Sequence, residues 1–135
     1  MINESTFEKI FQHLEFKALD ELWAVTLFPS EFDFPKKYST LYMGRIELFC
    51  QVLKWLLFNM KMRLANHGIF LEGTPQEQVN IFKKSFPKTE EEMLEKEHYW
   101  WYLDECPGGA VWYTDIDDHG FQTTPVGDGR FYYWT

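Results

Sequence analysis

Apolar residues recur at helical spacing from the start of the chain, with Phe7, Ile10, Phe11 and Leu14 on one face of residues 5–17. Ser5, with Glu8 three positions later, reads as the cap that opens this helix. A second helical stretch covers about Leu19 to Leu27 and stops before Pro29. The next segment, FPSEFDFPKKYST, holds two prolines and no clean period, so it reads as a loop. Residues 39–66 then carry the longest helical pattern. Its apolar stripe is Ile46, Phe49, Cys50, Leu53, Leu56, Leu57 and Met60, and Arg45, Lys54, Lys61 and Arg63 populate the other face. Asn66-His67-Gly68 supplies the stop.

IFLEG is too short for a helix and suits a single strand. In TPQEQ, Thr74 caps, Pro75 takes the first helical position and Glu77 completes a capping box, opening a helix that runs to Phe86. Thr89 and Glu92 repeat the signal for a helix running toward Leu103, whose acidic first turn suits the helix dipole. After CPGG the period changes. AVWYTD, FQTT and RFYYWT are rich in aromatic and β-branched residues, and GDG suits a hairpin turn between the last two. The pattern predicts an α+β fold of four to five helices followed by a small C-terminal antiparallel sheet. A single domain over residues 1–135 is expected, helical over 1–104 and sheet-rich over 105–135.

Composition sharpens this picture in two places. Aromatic residues make up 19% of the chain, enough to fill a thick core and leave rings over for an interface. The net charge of −8 is unevenly placed. Residues 41–67 carry 1 acidic and 4 basic residues, whereas residues 68–135 carry 13 acidic and 5 basic. Solubility alone accounts for such a balance, and so does an acidic face that steers toward a basic protein partner. Direct nucleic-acid binding is disfavoured, because phosphate contacts need clustered Lys and Arg. No secretory leader is evident in MINESTFEKIF, and LFCQVLKWLLFNM is too short to span a bilayer, so a cytoplasmic protein without membrane contact is expected.

The most chemical-looking stretch is YTDIDDHGFQTTP. Asp115, Asp117 and Gly120 match the first, third and sixth positions of a calcium loop, but His119 takes the fifth and Val126 the twelfth. An acidic turn between two strands explains the same residues. Glu95 and His98 share one helix face without the second such pair that a di-iron site needs. Cys50 falls on an apolar stripe, and the acidic neighbours of Cys106 should raise its pKa. No catalytic residue, cofactor motif or metal set is indicated. The rings around Trp100, Trp112 and Tyr132 either form the helix–sheet core or stand at an interface.

EGTPQEQVNIFKKSFP, CPGGAVW and the terminal WT together resemble a small bacterial family of unknown function, over about the last two-thirds of the chain. Members of that family often sit beside contact-dependent toxin cassettes, so the resemblance implies an immunity-protein role. Its motif residues Thr74, Pro75, Glu77, Pro87, Cys106, Gly108 and Gly109 read as caps and turns, and the resemblance names no site. Joined to the charge pattern, it leads to a non-catalytic protein that binds a basic partner, a cognate toxin. The expected partner-binding residues are Glu91, Glu95, Asp115 and Asp118 as an acidic rim, with Trp101, Tyr113 and Tyr133 as anchors. The alternative is a small enzyme or metal-binding protein that uses the loop from Asp115 to Gly120.

Overall fold

Helix α1 (Glu4–Leu14) begins one residue before the expected cap, because the Asn3 side chain accepts the Thr6 N–H at 2.9 Å while Ser5 donates to Asn3. The computed structural model describes residues 2–35 and 40–135, so Ser39, the expected start of the long helix, lies outside the described residues. Helix α2 (Leu19–Val25) precedes a short 3-10 turn at Pro29–Phe32 inside the segment read as a loop. Helix α3 (Tyr42–Phe58) is apolar nearly all round, and this suits a helix buried on several sides. Ile46, Phe49, Cys50, Leu53, Leu56 and Leu57 are all buried, as the stripe requires, but its last member, Met60, is exposed.

Two features of that helix differ from expectation. Arg45 is buried, not on an outer face. Its guanidinium donates to the Thr26 hydroxyl and the Trp23 carbonyl, both at 3.0 Å, and lies 4.0 Å from the centre of the Trp23 ring. It thereby closes the C-terminal end of α2, where free carbonyls favour a cation. Second, α3 ends at Phe58, well short of residue 66. Met60 takes a left-handed conformation (φ 53°), with its N–H on the Leu57 carbonyl and the Lys61 N–H on the Leu56 carbonyl. That pair of bonds is the helix-ending reversal in which glycine is usual.

The released chain forms strand β1 (Met62–Asn66), so Lys61 and Arg63 leave the helix and Asn66-His67-Gly68 becomes a hairpin turn into β2 (Ile69–Phe70). Helix α4 (Pro75–Ser85) carries the complete Thr74–Glu77 capping box. Helix α5 (Glu90–Lys96) is capped by Thr89 but stops short of Leu103. A 3-10 turn at Trp100–Tyr102 follows, which lets the Trp100 ring lie fully buried, stacked 5.1 Å from Phe86.

Strands β3 (Gly109–Thr114), β4 (Thr123–Pro125) and β5 (Phe131–Trp134) complete one antiparallel sheet in the order β2-β1-β3-β5-β4. Of its five strands, β1 falls in the run read as the long helix, while β2 falls on IFLEG, which was read as a strand. Gly108 is required at the entry to β3, since a Cβ there would meet the Ala65 carbonyl oxygen at 2.8 Å. Alternation sends Met62, Leu64 and Trp112 to the face covered by helices, where they are buried. Trp112 donates to the Lys17 carbonyl at 2.9 Å and packs on Phe11 of α1. Among the described residues, no helix is long and apolar enough to cross a membrane.

Candidate functional site: a cleft at Tyr113 and an acidic helix end

The acidic stretch is a tied turn from β3 to β4. Asp117 accepts the His119 N–H at 2.7 Å. Asp118 accepts the N–H groups of Gln122 and Thr123 at 2.7 and 2.9 Å, and the Thr123 hydroxyl at 2.6 Å. These bonds, the Thr123 hydroxyl first, hold the Asp118 carboxyl below its usual pKa. His119 and Gly120 both have positive φ, as a tight reversal demands. Strands flank the loop, where a calcium loop would have helices. Among the described residues, no three His, Cys, Asp or Glu side chains are grouped to hold a metal.

Beside this turn the reversal after α3 builds a cleft of about 420 Å³. The Tyr113 N–H bonds the Lys61 carbonyl at 3.2 Å, which brings the end of β3 against the end of α3. Phe11 and Phe16 at the end of α1, with Tyr113 and Ile116, supply its apolar lining. Four charged side chains line the same space: Glu15, Lys61, Asp115 and Arg130. Lys61 rests 4.8 Å from the Phe11 ring centre. Arg130 lies 4.7 Å from the Tyr113 ring centre and is held by Asp128 at 2.6 Å. Burial raises the Glu15 carboxyl above its ordinary pKa, with Lys61 opposing the shift.

The sheet face turned away from the helices bears its own ring cluster. Phe70 lies 4.8 Å from Tyr132 and 5.2 Å from Trp134, although β2 and β5 are separated by two strands. The rings meet above the small side chains of Ala65 and Val111, and both of these are buried. Arg63 covers the Phe70 ring at 3.8 Å and donates to the Tyr132 hydroxyl at 3.1 Å. The aromatic surplus is thus divided between the main core and a second, half-exposed layer.

The expected partner-binding residues separate into distinct places. Glu91 and Glu95 are exposed on α5, together with Glu90 and Glu92. This end adjoins the start of α3: the Tyr42 hydroxyl donates to the Pro87 carbonyl, and burial, then the Glu92 charge, pushes the Tyr42 phenol up to about 12. Tyr113 and Asp115 lie at the opposite end of α3, about 25 Å away for its 17 residues. Asp118 is spent on its turn. Trp101 packs into the core against Trp100 and Phe49, and Tyr133 lies on the helix-covered face against Phe16. The rings exposed beside α5 are Tyr99 and Tyr102, at 49% and 75%, whereas Trp101 is not among them.

Sequence reasoning missed Lys61, Arg63 and Glu15. The first two were assigned to a helix face because the reversal at Met60 lacks the glycine that would mark it. Glu15 follows the predicted apolar stripe with no local signal of its own. His98 lies just past α5 and is exposed. Both thiols are raised by burial, Cys50 to about 12 and Cys106 to about 11, so neither holds appreciable thiolate at neutral pH. For Cys106 the cause is burial, not its acidic neighbours.

Helices on one face of a five-stranded antiparallel sheet, with paired aromatic layers and charged ends, define a two-layer α+β protein. Residues 57–135 match the family described as protein of unknown function, DUF596, and the chain belongs to that family. All three motif segments quoted above fall inside the match. No curated protein matches the sequence. Among solved structures, the chain is similar to an uncharacterized protein conserved in bacteria from Neisseria meningitidis. The TM-score is 0.59 at 22% identity, over 84% of this chain and 80% of that one. At that identity the likeness concerns the fold.

Proposed function

We propose that the protein is a non-catalytic, cytoplasmic binding protein that neutralises a cognate bacterial toxin by docking a basic surface of that toxin against the α5 end. The observation that carries this reading is the set of exposed carboxylates Glu90, Glu91, Glu92 and Glu95 around exposed Leu94, Tyr99 and Tyr102. Apolar and aromatic anchors inside a charged rim are the usual make-up of a protein-binding patch. Lys96 does not offset the rim, because it faces Glu105 at 3.4 Å. The rim gives fast encounter with a cationic surface, and the rings give slow release.

The test is co-expression with the product of a toxin gene adjacent to this one, scoring survival and complex formation. Replacing Glu91 and Glu95 together by Lys should slow association at least about tenfold at low salt and flatten its salt dependence. Tyr102→Ala should act mainly on dissociation. Failure to protect or bind, or binding whose rates are indifferent to both changes, would overturn the proposal.

A further inference from the structure

We infer that the Tyr113 cleft is a binding site for a small zwitterion of the α-amino-acid class, with an aromatic or large apolar side chain. The cleft holds two charges of each sign, Lys61 and Arg130 against Glu15 and Asp115. A ligand of one sign would always approach two like charges. A zwitterion, with carboxylate and ammonium one carbon apart, meets both pairs favourably.

The charges are also available. Among the described residues, Lys61, Glu15 and Asp115 form no ion pair, and only Arg130 has one, with Asp128. Lys61 is instead held over the rings of Phe11 and Trp55, at 4.8 and 5.9 Å, and this fixes a half-buried ammonium at the cleft wall. Raising the Glu15 pKa by burial marks a carboxylate that gains from an incoming cation. In the same lining, Phe11, Phe16 and Ile116 offer apolar surface for the side chain. The volume of about 420 Å³ lies within the range of about 300–1,000 Å³ usual for small-molecule sites.

The experiment is a set of three NMR titrations of the full, isotopically labelled chain, with L-phenylalanine, phenylacetate and phenethylamine as probes. L-Phenylalanine should give saturable shifts of the Lys61, Tyr113 and Thr114 amides, and each single-charge analogue should bind at least about tenfold more weakly. Lys61→Met should erase the advantage over phenethylamine, and Asp115→Asn the advantage over phenylacetate. Spectra unchanged away from the cleft would show that both variants fold. Equal binding of all three probes, no saturable shift with any of them, or an advantage that survives both substitutions would overturn the assignment. None of these readouts depends on a protein partner, so the outcome is separate from that of the α5 proposal.

Discussion

Leu53 is fully buried in the middle of α3 and belongs to the core cluster that includes residues of both the helices and the sheet. Leu53→Ala should therefore cost about 2–5 kcal/mol through lost burial and the cavity left behind, measured by chemical denaturation. Met60 is the opposite case. It is more than half exposed, and its left-handed conformation costs an L-residue about 1–2 kcal/mol. Met60→Gly should raise stability by about 0.5–1 kcal/mol once glycine's extra freedom in the unfolded chain is deducted. A loss of stability would show that the Met60 side chain contributes packing that outweighs the strain. These two residues also mark how far single positions are legible. Leu53 could be placed from its spacing alone, because burial follows the helical period. Arg45 could not, because what holds it inside is the Trp23 carbonyl and the Thr26 hydroxyl at the end of α2.

Among the elements, those with a local chemical signature were readable and those set by tertiary pairing were not. The Thr74 box, the Thr89 cap and the GDG hairpin each satisfy backbone groups within a few residues, so their signals are written locally. Strand β1 has no such mark. MRLAN pairs with β3 over forty residues later, and its apolar positions fit either period over so short a span. The turn at Asp118 makes a pH prediction. Its folded-state pKa lies below the unfolded value, so its contribution is complete above about pH 3.9 and is lost as pH falls through the lower, folded value. The Gln122 and Thr123 amide resonances should hold steady from neutral pH to about 4 and move only below it. A transition centred near pH 5 would contradict the assignment.

Viewed whole, the molecule has two charged ends joined by α3, one acidic and one of balanced charge. The surplus of negative charge in the second half of the sequence was plain. Its division was not, because Asp115 and Glu91 are 24 positions apart in the chain yet are held at opposite ends of a helix that contains neither. The aromatic residues behaved similarly. Counting them established a surplus, but strand register decided that Tyr113 faces outward and Tyr133 inward. The two ends should respond differently to salt. Screening over a Debye length of about 8 Å at physiological ionic strength weakens long-range steering by exposed α5 carboxylates. Zwitterion binding at Tyr113, with no net charge to steer, should change little over the same range.

The sheet order also bears on how much of this chain is self-sufficient. Residues 57–135 contain all five strands, α4 and α5, yet the face formed by Met62, Leu64 and Trp112 is roofed by α1 and α3. A fragment cut at residue 57 would keep every ladder of the sheet and lose its cover, leaving three large apolar side chains in water. It should show strand content but no cooperative unfolding transition, and should bind a hydrophobic dye. Supplying residues 1–56 as a separate peptide should restore the transition, because they carry α1, α2 and most of α3, the cover of this face.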